Sequence, residues 1–140
     1  MRRHWSMVLA LAVLGAMAGC GGPDRPMTVP VSGIVRYAGQ PVAGADVVFQ
    51  PQQGPMATGQ TDEQGRFQLM TFQPGDGAVP GEYAVMISKK EAVVDPRQPE
   101  NPYPQVRDVL PPRYGNATQS RLTVRVQAAQ RNDFPFDLQP

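Results

Sequence analysis

From Val29 onward, hydrophobic and polar residues alternate in short runs broken by proline, glycine and acidic turn residues. No window carries the 3.6-residue apolar spacing of a helix. A period of two marks a half-buried strand, because successive side chains leave opposite faces of the pleat. Val31–Tyr37 predicts the first strand, with Val31, Val35 and Tyr37 on one face. The turn-rich Ala38–Gly44 leads to a second over Ala45–Gln50, with Val47 and Phe49 inward, and Pro51–Pro55 ends it. Ala57–Thr61 and Arg66–Thr71 flank Asp62-Glu63-Gln64-Gly65, which predicts a hairpin with Gly65 at positive φ and Phe67 and Leu69 inward. After a loop over Phe72–Gly81, Glu82–Lys89 is the strongest strand, with Tyr83, Val85 and Ile87 on one face. The pattern stops at Lys90 and resumes over Arg121–Gln127, with Leu122, Val124 and Val126 inward. Phe134–Leu138 is last, and Pro135, which has no N–H to give a ladder, predicts a sheet edge there.

These runs predict an all-β fold: a seven-stranded antiparallel Ig-like β-sandwich of Greek-key type over residues 29–140. Sixteen prolines and fourteen glycines in 140 residues suit short strands joined by turns. A chain of this length builds one domain. Residues 90–120 form a long loop with six prolines between Asp95 and Tyr114. Unstructured loops of that length tend to be functional or disordered. Tyr103, Arg107, Arg113 and Tyr114 give it aromatic and cationic groups that can contact a partner. The plainer reading is a proline-stiffened strap across the sandwich, with Tyr114 as its hydrophobic pin.

Residues 1–19 read as an export signal. Met1–Ser6 is basic through Arg2 and Arg3, and Met7–Met17 is an uncharged apolar run of 11 residues. A bilayer-spanning helix needs about 20. Met17-Ala18-Gly19-Cys20 resembles the lipobox of bacterial lipoproteins, departing only at Met17, where Leu is commonest. The resemblance implies a diacylglyceryl group on the Cys20 thiol, cleavage just before Cys20, and a membrane attachment through lipid. It places the chain in the cell envelope, periplasmic or at the outer surface. An uncleaved short anchor, or a plain signal cut elsewhere, is the competing reading. Residues 20–28, rich in glycine and proline, read as a flexible tether.

Removal of the signal changes the chemistry available. The chain has 13 basic and 12 acidic side chains, and loss of Arg2 and Arg3 leaves 11 basic, a net charge of −1. That is no footprint for nucleic acid. The one histidine, His4, goes with the signal, and the one cysteine, Cys20, permits no internal disulfide. Without histidine a nucleophile–base constellation has no base, and borderline metals lack their usual ligands. We therefore expect no enzyme activity and no catalytic, cofactor-binding or metal-binding residues. Asp62 and Glu63 could touch calcium, but a turn with acidic residues is ordinarily just solvated. Met27, Met56, Met70 and Met86 are scattered and read as gap-fillers or surface residues. Asn116-Ala117-Thr118 matches a glycosylation sequon and is read as coincidence in a bacterial lipoprotein.

Four elements in succession carry a second resemblance: Val31-Ser32-Gly33-Ile34-Val35, then Gly39-Gln40-Pro41-Val42-Ala43-Gly44-Ala45-Asp46-Val47, then Thr61-Asp62-Glu63-Gln64-Gly65-Arg66-Phe67, then Pro80-Gly81-Glu82-Tyr83-Ala84-Val85. They are similar to the carboxypeptidase regulatory-like domains, which are transthyretin-like (prealbumin-like) β-sandwiches. Gly44 and Gly65 then fall where tight turns need left-handed backbone. The resemblance implies a fold without chemistry of its own, since transthyretin-related hydrolases use histidine. The expected role is protein interaction or structural spacing. The alternative is a module binding glycan or another envelope polymer, for which Tyr37, Tyr103 and Tyr114 are the candidate aromatics.

Overall fold

The computed structural model describes residues 24–140; the expected signal over residues 1–19, Cys20 and the first residues of the expected tether lie outside the described residues. The chain folds as β1 (Val31–Tyr37), β2 (Gln40–Pro41), β3 (Asp46–Pro51), β4 (Ala57–Gln60), β5 (Arg66–Gln68), β6 (Gly81–Ser88), β7 (Lys90–Val93), β8 (Gln105–Asp108), β9 (Leu122–Val126) and β10 (Asn132–Leu138), with one 3₁₀ turn at Pro112–Gly115. The all-β expectation holds, but there are ten strands among the described residues where the alternation predicted seven. The three additions are β2, β7 and β8. Two residues are too short to show a period, and the other two strands are exposed on both faces, so no apolar alternation marks them.

One sheet is built on β1. β10 lies along one edge, while β5 and β2 share the other, β5 opposite Ser32–Ile34 and β2 opposite Arg36–Tyr37. The second sheet runs β4-β3-β6-β9 and is antiparallel throughout. The expectation of wholly antiparallel sheets fails at β1 and β10, which pair in parallel from Val31↔Asn132 to Tyr37↔Leu138. β9 descends in the second sheet, the chain crosses at residues 127–131, and β10 therefore rises beside β1 in the same direction. As the proline predicted, β10 is an edge strand, with Pro135 opposite Ile34.

The predicted hairpin also needs correction. Asp62-Glu63-Gln64-Gly65 does form a tight turn, closed by Asp62 N–H to Arg66 O at 2.8 Å, with Gly65 at φ 76°. The strands it joins pair in different sheets, β4 with β3 and β5 with β1, and beyond the turn the two segments are joined by the isolated Thr58↔Met70 bridge. The turn is a crossover, not a hairpin tip. Gly44 is likewise left-handed, at φ 67°.

Most of the predicted inward residues form the core, while Tyr37, Leu122, Val124 and Phe134, also predicted inward, are only partly buried and pack against it. Val31, Val35, Val47, Phe49, Phe67, Leu69, Tyr83, Val85, Ile87, Val126, Phe136 and Leu138 are buried together. Phe49 is the hub of the sandwich-like packing: from the second sheet it meets Phe67, Phe134 and Phe136 of the first, at centroid distances of 6.3, 6.0 and 6.2 Å. Such offset and edge contacts add to area burial. The Tyr83 ring packs here too, 5.8 Å from Phe49, while its hydroxyl donates to Val79 O at 2.6 Å. Burial pushes the Tyr83 pKa up.

Strand direction gives the domain two distinct poles. At one, which we call the near pole, lie the start of β1, the loops at 52–56 and 69–80, and the β9–β10 crossing. At the other, the far pole, lie the 62–65 turn, the whole of 89–121, and the end of β10. β1 alone, at seven residues, separates them by about 23 Å.

Candidate functional site

At the near pole the N-terminal segment is pinned by Val29, which exchanges N–H···O bonds of 2.9 and 3.0 Å with Ala78. Gly77 makes this docking possible: a Cβ there would stand 1.7 Å from Val29 O. The loop that receives the segment is held by Asp76. Its carboxylate accepts the N–H groups of Thr71, Phe72 and Gln73 at 2.7, 3.0 and 3.0 Å. Desolvation works to raise the Asp76 pKa, but these three donors outweigh it and hold the carboxyl below its ordinary value. Nothing in the strand pattern marks Asp76; the signal available was Pro74-Gly75-Asp76-Gly77, which reads only as a turn.

A broad open groove of about 1180 Å³ lies beside it on the second sheet, lined by the 50–55 and 79–84 segments and by β9. The Glu82–Arg125 ion pair, at 2.7 Å, borders it, and its lining contains no Ser, Cys or His. Among the described residues no group of three or more His, Cys, Asp or Glu side chains is placed to hold a metal. The Asp62 carboxylate is engaged in its own turn, accepting Gln64 and Arg66 N–H at 2.9 Å each.

At the far pole the predicted proline-rich loop is in large part built structure. β7 and β8 form a two-stranded antiparallel arm, with Lys90 opposite Asp108 and Glu91 opposite Arg107. Opposite charges across a ladder favour the pairing. All eight residues of the two strands are exposed. Ala92 and Val106 pair on one face, and Val94 and Tyr103 stand at the arm's outer end, Tyr103 80% exposed. Both outer edges of the arm are unpaired with the two four-stranded sheets. The tip is turned back by Asp95, accepting Arg97 N–H at 2.8 Å, and Asn101, accepting Tyr103 N–H at 3.0 Å.

The four loop residues singled out from sequence therefore separate into two pairs. Tyr103 and Arg107 belong to the exposed arm. Arg113 and Tyr114 belong to the strap below it, where Tyr114 is buried. The Tyr114 hydroxyl accepts Gln139 N–H at 2.9 Å, and Arg113 donates to Gln139 O at 2.6 Å and Pro140 O at 2.9 Å. Burial works to raise the Tyr114 pKa, but the Gln139 bond and the Arg113 guanidinium outweigh it and hold it below the usual tyrosine value. These two residues fasten residues 139–140 to the strap, with the Tyr114 ring buried and Arg113 exposed. Asn116 closes its own turn, accepting from Thr118 N–H and hydroxyl at 2.9 and 2.7 Å. With Tyr114 buried, Tyr37, Tyr103 and Tyr114 do not form an exposed aromatic platform. The arm residues the sequence missed are Val94 and Val106, which no alternation distinguished.

No family model matches the chain, and no curated protein does. Among solved structures, a 9R-lipoxygenase from Cyanothece PCC8801 is similar at 15% identity and a TM-score of 0.38, over 84% of this chain and 17% of the lipoxygenase.

Proposed function

We propose that this protein is a non-enzymatic lipoprotein of the bacterial cell envelope, exported by residues 1–19 and held on a membrane by lipid on Cys20. Its domain is read as a carboxypeptidase regulatory-like, transthyretin-like sandwich that works as a protein-interaction module. The observation that carries this reading is polarity. The segment leading back to Cys20 leaves from the near pole, and the exposed arm, carrying Val93, Val94, Tyr103 and Val106 beside its charged pairs and unpaired at both outer edges, stands at the far pole. A lipid at one end and a contact surface at the other suit a module that reaches from a membrane to a partner. An exposed two-stranded ribbon with free edges fits partners that add a strand to it.

Two measurements test the proposal. Fractionation with mass analysis of the N-terminal peptide is expected to find Cys20 acylated and the protein in the membrane fraction, with Cys20→Ser abolishing both. A photo-crosslinker at Val94 is expected to capture a discrete envelope protein, and Val106→Asp to abolish the capture. An unacylated, freely soluble mature chain refutes the anchor, and an arm that captures no protein refutes the interaction role.

A further inference from the structure

The eight large hydrophobic side chains exposed among the described residues fall into two sets of four. Val93, Val94, Tyr103 and Val106 belong to the arm. Met27, Met56, Met70 and Phe72 belong to the near pole, and the pairing brings them together. Thr58 and Met70 exchange N–H···O bonds of 2.9 and 2.8 Å. Met56 lies two residues before Thr58 and Phe72 two residues after Met70, so the bridge places both beside the point where the two segments meet. The Arg25 guanidinium lies 5.5 Å from the centre of the Phe72 ring, and Met27, 80% exposed, follows before Val29 enters the fold. Pro26 and residues 50–55, which lead into Met56, line the same groove. Segments distant in sequence thus bring four exposed apolar side chains to one pole, beside Arg25.

We propose that this pole seats on the lipid surface, with Met27, Met56, Met70 and Phe72 at the boundary between headgroups and acyl chains. The inference rests on the reading that Cys20 carries lipid. Chain length then fixes the occupant. Arg25 is five residue steps from Cys20, a span of about 17 Å when fully extended. Arg25 rests on Phe72, so an acylated Cys20 holds the apolar surface within that distance of the bilayer. Tethering at such range converts docking into an intramolecular event. Unbranched methionines adapt to an irregular surface, and Arg25 can keep its head in the polar layer while its stem lies along Phe72. The ionised groups at this pole are of mixed sign, Asp24 and Arg25, Glu82 and Arg125, Arg131 and Asp133, with the Asp76 carboxylate bonded to backbone N–H groups. The contact therefore depends on apolar burial and not on anionic headgroups. Docking here also aims the arm away from the membrane.

Methionine oxidation tests this. The full chain is produced in a bacterial host, purified from its membranes and reconstituted in phosphatidylethanolamine/phosphatidylglycerol vesicles. Peroxide oxidation is then read peptide by peptide, with Met86, half-buried on the second sheet, as the internal reference. Met27, Met56 and Met70 are expected to oxidise at least fivefold more slowly than in Cys20→Ser protein free in solution, with Met86 unchanged. Vesicles lacking phosphatidylglycerol should give the same protection. The variant Met56→Glu with Met70→Glu, at exposed positions that leave the core intact, should stay anchored while Met27 returns to its solution rate. Equal oxidation of Met27, Met56 and Met70 in the two states, with Cys20 acylated, overturns the docking and leaves the anchor standing. If mass analysis finds Cys20 without lipid, the anchor reading fails. The same thiol, the only one in the chain, is then coupled to a maleimide lipid and the same readout decides the docking.

Discussion

Phe67 stands directly across the ladder from Gly33, and its ring fills the place a Cβ on Gly33 would take: Cζ lies 2.5 Å from that position. Phe134 O lies 2.2 Å from the same point. Phe67 stacks on Phe136 at 6.1 Å, so the bare Gly33 backbone lets the aromatic layer close over the centre of the first sheet. Gly33→Ala is expected to destabilise the domain by at least about 2 kcal/mol through overpacking. Urea unfolding checks this as a lower midpoint with an unchanged slope. Because a backbone oxygen blocks the site as well as the ring, adding Phe67→Leu should not restore stability.

Asp76 predicts a loss of stability in acid. Its folded-state pKa is below the unfolded value, so the carboxylate's contribution is fully present above about pH 4 and is lost as pH falls through the folded value. Asp76→Ala removes the acceptor for three N–H groups and should cost about 1–2 kcal/mol at pH 7, discounted for partial exposure. Denaturation curves at pH 7 and at pH 2.5 check it: the gap between wild type and variant should narrow in acid. Hydrogen exchange at Ala78 should also rise in the variant, since the same loop holds Val29.

Tyr114→Phe keeps the ring and removes the hydroxyl that accepts from Gln139. A cost of about 1 kcal/mol is expected, with faster hydrogen exchange at Gln139 and no change at the arm. An equal loss at both sites would show that strap and arm open as one unit.

Val94→Asp and Val106→Asp lie on exposed positions of the arm and should change folding stability by no more than about 0.5 kcal/mol. A two-stranded ribbon without a body behind it is marginal. Amides of residues 90–108 are therefore expected to exchange far sooner than those of β3 and β6.

The sequence alone determined where the main strands lie and which side chains they bury. Alternation is a local property, written in each run by itself, and Val31, Val47, Phe49, Leu69, Tyr83 and Leu138 all went inward as their positions required. It also determined the left-handed turns at Gly44 and Gly65 and the edge position of Pro135, because each depends on one residue's own backbone chemistry. Tertiary structure decided which strands pair. A tight turn sends the chain back but does not say into which sheet, so β4 and β5 could part company across Asp62–Gly65. The parallel β1–β10 pairing joins residues about a hundred positions apart and leaves no local trace. The arm escaped detection because both of its faces meet water, so burial imposed no period on it. The near-pole surface escaped for the converse reason: Met27, Met56, Met70 and Phe72 come from three separate segments, and only the closed fold makes them neighbours.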